Sequence, residues 1–143
     1  MVELNSEDLS YFSAFEKVTG VIPLDYLNTE NLLIFLVEQS ELGKAIGKKG
    51  MNIKKLRGVL RKRLVIVSDS KDLEAFVRQF FNNISVISIE IKNVMGSNAV
   101  VLTVDEKDRG LAIGKDGERI KAAKLLLEKK FKATVHLKTR RVM

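Results

Sequence analysis

The stretch Ala45-Ile46-Gly47-Lys48-Lys49-Gly50-Met51-Asn52-Ile53 occurs again as Ala112-Ile113-Gly114-Lys115-Asp116-Gly117-Glu118-Arg119-Ile120, so both copies read A-I-G-K-x-G-x-x-I. Each copy places two glycines three positions apart, between an apolar pair and the expected first turn of a helix. A glycine has no side chain to hold a ligand away from the backbone, and a helix N-terminus offers unsatisfied N–H groups to anions. The stretch therefore predicts a loop that holds phosphate groups.

The similarity between the two copies extends well beyond the glycines. The shift that carries Gly47 onto Gly114 superimposes residues 31–64 on residues 98–131 without a gap. Two copies of one small domain explain this match. We place the first domain at residues 1–68 and the second at residues 69–143.

The spacing of apolar residues predicts the same order in each copy, namely helix, strand, strand, short helix, glycine loop, longer helix and strand. Helices are expected from Asn5 or Ser6 to Gly20, at about 51–63, from Asp69 or Ser70 to Phe81, and at about 118–130. Strands are expected at 21–27, 32–37 and 64–67, then at 84–92, 99–104 and 133–137, with turns at 25–30 and 95–98.

The connections predict how these strands pair. A helix joins the last two strands of each copy, which should therefore run parallel, whereas the first two should form an antiparallel hairpin. The nearly continuous apolar runs at 32–37 and 99–104 predict central strands covered on both faces. In strand 84–92 Ile87, Ile89 and Ile91 alternate with polar residues and should face a core. The expected fold class is α+β, with three-stranded mixed sheets packed by helices.

The charge of the chain is unevenly distributed. Its formal net charge is +7 at pH 7, yet residues 1–30 hold six acidic residues and one lysine. The remaining residues are strongly basic, which favours a polyanionic partner, either nucleic acid or an acidic membrane surface. A basic folded protein without such a partner is the alternative.

Several kinds of chemistry are excluded by the sequence. The chain has no cysteine and one histidine, His136, so thiolate chemistry, cysteine-bound zinc and histidine triads cannot be built. A nucleotide-binding P-loop needs Ser or Thr after its lysine, but Lys48 is followed by Lys49, and Lys115 by Asp116. We therefore expect no enzymatic activity and no cofactor.

The sequence also gives no sign of a membrane protein. The longest apolar run, Leu32 to Val37, is far shorter than the roughly 20 residues that span a bilayer. The N-terminus lacks the basic start and apolar run of a secretory signal. We expect a cytoplasmic protein with no membrane partner.

The motif I-G-x-x-G-x-x-I between two helices resembles the GXXG loop of the KH domain, a module that binds single-stranded nucleic acid. Because each copy begins with a helix and strand and ends with a strand, the order α-β-β-α-α-β resembles two tandem type II KH domains. Within this family the short chain resembles the archaeal NusA-like transcription factors. The resemblance implies a monomer that binds single-stranded RNA during transcription elongation or termination, with RNA polymerase as a second partner.

The resemblance assigns the sugar-phosphate backbone to the two loops and the bases to an apolar groove beside each loop. The residues expected to contact RNA are Lys44, Ile46, Gly47, Lys48, Lys49, Gly50, Lys54 and Arg57 in the first copy, and Ile113, Gly114, Lys115, Asp116, Gly117, Arg119 and Lys121 in the second. The groove should be lined by Ala45, Ile46, Ile53 and residues 65–67, and by Ala112, Ile113, Ile120 and residues 134–136. Carboxylates dilute the positive charge around the second loop, so the first should dominate affinity.

Other interpretations remain open at this point. A ribosome-associated KH protein would share the chemistry and meet a different RNA, whereas a protein-protein adaptor would have one or both loops without RNA binding. Ile53 and Ile120 fit a buried helix face as well as a base-binding groove, and His136 fits a half-exposed strand position as well as an RNA contact. The acidic residues Glu3, Glu7, Asp8 and Glu16 form either a solvated helix face or a docking surface for a protein such as polymerase.

Overall fold

The structure of the protein is a computed structural model that describes residues 5–30 and 32–142. It divides into two compact units, Met1–Asp69 and Ser70–Met143. The boundary that we propose between the two domains, after residue 68, lies one residue from this division. The α+β class is confirmed, and each domain has the order α-β-β-α-α-β.

The first domain is a three-stranded mixed sheet with helices packed on it. Its strands lie in the order β1-β2-β3, with β1 antiparallel to β2 and β3 parallel to β2, as predicted. The elements are α1 (Ser6–Thr19), β1 (Asp25–Asn28), β2 (Leu33–Val37), α2 (Leu42–Ile46), α3 (Met51–Leu60) and β3 (Leu64–Ser68).

The second domain repeats this topology with longer elements. Its sheet has the order β4-β5-β6, again with one antiparallel and one parallel pair. The elements are α4 (Leu73–Phe80), β4 (Val86–Val94), β5 (Ser97–Asp105), α5 (Arg109–Ile113), α6 (Glu118–Phe131) and β6 (Ala133–Arg140).

Capping residues mark the ends of the helices, at the predicted positions in α1 and at other positions in α3 and α4. Asn5 and Asp8 form a reciprocal capping box at the start of α1, and Gly20, at φ 72°, ends that helix. The predicted end of α3 at Arg63 is wrong, because Arg61 turns to φ 53° and closes the helix after Leu60. At the start of α4, Asp72 rather than Asp69 or Ser70 is the cap, and its side chain accepts a hydrogen bond from the Ala75 N–H.

The predicted first strand at 21–27 is wrong at its start, and the predicted turn at 25–30 is wrong where it overlaps the strand. The strand begins at Asp25 because Pro23 has no N–H to donate to a ladder, and the Val21 N–H bonds to the Thr19 hydroxyl instead, at 3.0 Å. The first hydrogen bond toward β2 is from the Leu24 N–H to the Leu36 carbonyl, at 2.7 Å.

The two central strands differ in how they are covered. All five residues of β2 are buried, as predicted. In β5 only alternate residues, Val100, Leu102 and Val104, are buried among its nine, so the prediction of burial on both faces is wrong there.

The edge strand β4 also departs from its predicted pattern. None of its nine residues is buried, and Ile91 is 42% exposed. A register shift between Val86 and Ser88 interrupts the alternation of the two faces, and exposure increases toward the tip of the long hairpin at Met95. The predicted buried face of Ile87, Ile89 and Ile91 is therefore wrong.

The cores anchor the helices on both sides of each glycine loop. In the first domain Phe15 stacks on Phe35 with ring centroids 4.3 Å apart, and Ala45 of α2 and Leu56 of α3 are fully buried in the same cluster. In the second domain Ala112 of α5 and Ala123 of α6 are buried in the same way. No helix in residues 5–30 and 32–142 is long and apolar enough to cross a bilayer.

Candidate nucleic-acid interface

The two glycine loops have almost the same backbone. Gly47 lies at φ 79°, ψ 165°, and Gly114 lies at φ 78°, ψ 170°. Between the glycines Lys49 and Asp116 both adopt φ 55°, although one side chain is basic and the other acidic. Each loop is closed by a hydrogen bond from the second glycine to the first, of 3.0 Å in the first domain and 3.1 Å in the second. The loop geometry is thus independent of the residues that fill its middle.

The first glycine of each loop is required by the protein itself. A Cβ at Gly47 would lie 2.8 Å from Cγ of Asn52, and a Cβ at Gly114 would lie 2.6 Å from Cβ of Arg119. Both positions also have positive φ, which L-residues rarely adopt. The fold itself therefore requires glycine at positions 47 and 114, apart from any contact with a ligand.

The second glycine of each loop faces open space. A Cβ at Gly50 would meet no described atom within 4 Å, and a Cβ at Gly117 would meet only Cε of Lys121, at 3.8 Å. These glycines are the N-caps of α3 and α6, and neither helix start has a side-chain cap among the described residues. The Met51 N–H donates to the Lys48 carbonyl and the Glu118 N–H to the Lys115 carbonyl, so backbone groups of the loop close both helix starts. The partial positive charge of each helix N-terminus still favours an anion there.

The charged residues predicted at the loops are exposed. Lys44, Lys48 and Lys49 surround the first loop, and Lys115 and Asp116 lie at the second. Lys54 and Arg57 are exposed on α3, as is Lys121 on α6, whereas Ile46 and Ile113 are half-buried beside the loops. The first loop has two lysines between its glycines, so its local positive charge is higher than that of the second loop.

Arg119 is held inside the second domain. Its guanidinium donates to the Leu111 carbonyl at 3.2 Å and to the Phe80 carbonyl at 3.0 Å, and it also bonds Oδ1 of Asn83. It lies 5.3 Å from the centroid of the Phe81 ring, and burial lowers the pKa of the guanidinium. The structure therefore places this predicted RNA contact in a link that joins α4, α5 and the start of α6.

Asn52 occupies the position equivalent to Arg119 in the first domain. Its amide Nδ2 donates to the Lys44 carbonyl at 3.0 Å, and Lys44 is equivalent to Leu111. Both residues thus tie the helix after the loop to the helix before it. The sequence signal for this role was the donor side chain at the second position of each following helix, but the motif A-I-G-K-x-G-x-x-I leaves that position unspecified.

A cleft of about 380 Å³ lies beside the second loop, between α6 and β6. Ile120, Val135 and His136 line it as predicted, whereas Thr134, Ala112 and Ile113 do not, and Ala112 is fully buried. The cleft also includes residues that were not predicted as lining, namely Arg109, Lys124, Leu137 and Thr139. It therefore combines three apolar side chains with two cations, a histidine and a threonine.

The floor of this cleft is the edge strand of the sheet. Among the described strands β6 pairs only with β5, so its other edge keeps backbone N–H and C=O groups available. His136 is exposed in the cleft, and its Nε2 lies 3.4 Å from the hydroxyl of Thr134. A flat base entering this cleft would meet apolar side chains on one side and hydrogen-bonding groups on the other.

The acidic residues of α1 have partners within the first domain. Glu7 accepts a hydrogen bond from the Tyr11 hydroxyl at 2.8 Å, and this bond is the main reason that the Tyr11 pKa is raised. Asp8 belongs to the capping box and also accepts from the Tyr26 hydroxyl at 3.0 Å. Burial, together with that bond, raises the Tyr26 pKa. Glu16 is exposed, and Glu3 lies outside the described residues.

Two GXXG loops with matching backbones, each on the element order α-β-β-α-α-β, define a protein with two tandem KH domains of type II. A family model described as KH domain matches residues 14–97 and again residues 72–143. No group of three or more His, Asp or Glu side chains in the described part of the chain is placed to hold a metal ion.

Similar proteins agree with this class. A probable transcription termination protein NusA from Halococcus morrhuae is 33% identical over 130 residues, which cover 91% of this chain and 93% of that protein. A protein with the same description from Methanococcus vannielii is 30% identical over 122 residues, covering 85% of this chain and 70% of the relative. The crystal structure of APE1850 superimposes with a TM-score of 0.78 at 40% identity, covering 96% of this chain and 100% of that one.

The chain therefore belongs to the KH-domain family, as an archaeal NusA-like protein with two tandem KH domains. KH domains bind single-stranded RNA, with the GXXG loop holding the backbone. RNA binding is accordingly the general activity that the family assigns to the chain.

Proposed function

We propose that the protein binds single-stranded RNA with both GXXG loops and acts in transcription elongation or termination. The observation that carries the proposal is the pair of loops with matching backbones, each at a helix N-terminus that no described side chain caps. The relatives described as probable transcription termination proteins NusA support the setting. The proposed function includes no enzymatic step.

In the proposed complex each loop binds the RNA backbone at its second glycine. Phosphate oxygens lie against the N-terminus of α3 or α6, where no described side chain caps the helix and its partial positive charge attracts an anion. Lys48 and Lys49 add positive charge at the first loop, and Lys115 does so at the second. The open space above Gly50 and Gly117 lets the RNA backbone come close.

The bases are proposed to lie in the cleft between the helix after the loop and the edge strand. In the second domain Ile120 and Val135 provide apolar contact, and the free edge of β6 offers backbone donors and acceptors to base edges. His136 can stack on a base or donate to it, since aromatic stacking is a common contact of single-stranded bases. A single strand fits this geometry because its bases are not already paired.

The proposal is tested by reversing the charge of the first loop. The double change Lys48→Asp and Lys49→Asp should lower affinity for an unstructured RNA oligonucleotide about tenfold or more, while the fold survives because both side chains are exposed. A matched control reverses the exposed Lys17 and Lys71, which lie outside both loops and both grooves. Fluorescence anisotropy gives affinities, and circular dichroism checks folding.

Salt dependence gives a second measurement on the same samples. The logarithm of affinity should fall with the logarithm of salt concentration, with a slope of about −0.7 for each phosphate neutralised on a single strand. Unchanged RNA binding by the loop variant, or an affinity insensitive to salt, would reject backbone clamping and favour the protein-protein adaptor.

The cellular RNA is identified by crosslinking and sequencing. Nascent transcripts among the crosslinked RNAs support the transcription role, whereas ribosomal RNA supports a ribosome-associated KH protein. RNA polymerase remains a proposed partner, and we assign no docking role to Glu7 or Asp8 because both already have structural partners. A polymerase pull-down that survives removal of bound RNA with nuclease would support direct contact.

A further inference from the structure

A group of four basic residues lies at the end of α3 that is remote from the first glycine loop. Arg57, Arg61, Lys62 and Arg63 line a shallow pocket of about 250 Å³, and no acidic residue lines it. We call this group the distal basic patch. Arg57 lies within α3, roughly 10 Å from the loop along the helix axis, and Arg61, Lys62 and Arg63 follow the helix, roughly 15 Å or more from the loop. The patch is thus a second concentration of positive charge in the first domain.

Neutral groups hold two of these cations in place. The guanidinium of Arg57 donates to the Leu64 carbonyl at 3.3 Å, which ties α3 to the start of β3. The ammonium of Lys62 bonds Oδ1 of Asn28 and lies 6.0 Å from the ring centroid of Tyr11. Such partners restrict the side chains without cancelling their charge, so both cations are preorganised for an anion.

Helix stability alone does not account for the patch. One cation at a helix C-terminus is favourable, but Arg57 and Arg61 are like charges four positions apart, which destabilise a helix slightly. Arg61 also adopts φ 53° at the C-cap, where Gly or Asn is preferred. The chain therefore keeps a positive charge at a position that would be more stable with another residue.

The second domain arranges its charges differently at the corresponding positions. In the ungapped repeat Glu128 corresponds to Arg61, and Lys129 and Lys130 correspond to Lys62 and Arg63. These three residues lie within α6, which continues to Phe131 and has Lys132 as its C-cap, whereas α3 ends at Leu60. A run of three cations that follows the end of the helix, without a carboxylate among them, is therefore particular to the first domain.

The patch lies where α3 and the start of β3 meet. Arg57 joins these two elements through the Leu64 carbonyl, and it is equivalent to Lys124, which lines the cleft between α6 and β6 in the second domain. An RNA strand that leaves the loop between α3 and β3 therefore reaches the distal basic patch.

We propose that the distal basic patch is a second phosphate-binding site for the same single-stranded RNA, beyond the nucleotides held by the glycine loop. This inference rests on the proposed RNA binding and adds to it a longer footprint on the first domain than on the second. Arg61 is the best residue with which to test this site. Its side chain makes no hydrogen bond or ion pair with the described residues, so contact with RNA phosphate is the only role that we assign to it.

The test replaces Arg61 with asparagine. Asparagine tolerates positive φ, so Arg61→Asn should not lower the thermal midpoint. Its affinity for an RNA of about ten nucleotides should fall about three- to tenfold, and the salt slope should become shallower by about 0.7. Its affinity for an RNA of about four nucleotides, the length that one loop clamps, should not change.

The matched control is Lys132→Asn, which removes one positive charge from the equivalent C-cap of the second domain. It should leave the affinity for both RNAs unchanged, and a fall equal to that of Arg61→Asn would attribute the effect to net charge and overturn the site. Arg61→Asn binding the longer RNA as tightly as wild type would also overturn it. Failure of wild type to bind either RNA would instead reject the proposed function itself.

Discussion

The two domains repeat one backbone and differ in the side chains that support and charge it. The loops share their φ values, but Lys49 of the first corresponds to Asp116 of the second, and Asn52 corresponds to Arg119. In the first domain one hydrogen bond from the Asn52 side-chain amide links the two helices beside the loop. In the second domain the Arg119 guanidinium donates to three acceptors. The difference teaches that the backbone frame of the loop, which the first glycine and the helix after the loop hold, is specified by other residues than its charge.

The largest effect is expected from the glycine that the frame requires. Gly114→Ala should cost about 2–4 kcal/mol of the second domain's stability, because its Cβ would lie 2.6 Å from Cβ of Arg119 at a strained backbone angle. Gly117→Ala, in open space, should cost only about 1–2 kcal/mol. Hydrogen exchange of α6 measures both, and equal costs would contradict the assigned difference between the two glycines.

The next largest effect is expected from Arg119 and Asn52, the side chains that link the two helices beside each loop. Arg119→Ala should lower the stability of the second domain by about 2–3 kcal/mol, because the Phe80 and Leu111 carbonyls lose their donor. Asn52→Ala should cost about 1 kcal/mol in the first domain, where one bond is lost. Denaturant unfolding followed by domain-specific NMR signals compares them.

The same pair of variants decides between two roles for Arg119. A loss of RNA affinity by Arg119→Ala with unchanged stability would restore the sequence prediction of a direct RNA contact. If Arg119 instead has a structural role, Arg119→Ala lowers the stability of the second domain, and any loss of RNA affinity follows from that.

Exchanging the loop charges should change binding by a smaller amount. Asp116→Lys should raise RNA affinity about fivefold, and Lys49→Asp should lower it by a similar factor, since each alters the charge at a phosphate site by two units. Both positions are exposed and share φ 55°, so thermal midpoints should change little. Anisotropy titrations at two salt concentrations measure the effect, and equal affinity in all three proteins would show that the middle of the loop does not face RNA.

The smallest effect concerns Asp108, before α5. Its carboxylate accepts a hydrogen bond from the Ser85 N–H at 2.7 Å, and this bond lowers its pKa. Its contribution to stability is therefore complete above the ordinary carboxyl pKa and is lost as pH falls through the lowered value. The thermal midpoint of Asp108→Asn should depend less on pH below about 4 than that of the wild type. Identical pH profiles of the thermal midpoint in Asp108→Asn and the wild type would show that the bond to the Ser85 N–H does not contribute to stability.

Much of the fold could be predicted from the sequence because the same domain occurs twice in the chain. The ungapped repeat predicted the element order, the parallel and antiparallel pairs and the position of both loops, since apolar spacing and glycines act locally. Strand ends were less predictable. The strand β1 begins later than predicted because Pro23 cannot donate a hydrogen bond to the sheet. The start of β3 was predicted correctly. The helix before it ends three residues earlier than predicted, because Arg61 adopts a positive φ that the sequence pattern does not indicate.

Contacts between distant residues were the hardest to predict. The bond of Arg119 to Phe80 joins residues 39 positions apart, and no local pattern indicates it. The exposure of Ile91 on β4 depends on how far the hairpin extends and on the irregular register at Val86, which strand periodicity ignores. The candidate site is therefore predictable in its loop and less so in its supporting side chains.

The shared angle of Lys49 and Asp116 has a consequence for how such loops diversify. Aspartate adopts positive φ more readily than lysine, so the first loop keeps its charge at a small conformational cost that the second loop avoids. Because the first glycine and its partner helix hold the frame, substitutions between the glycines are tolerated by the fold. After duplication, the two copies could therefore acquire different affinities by changing single surface residues, without any compensating change in the core.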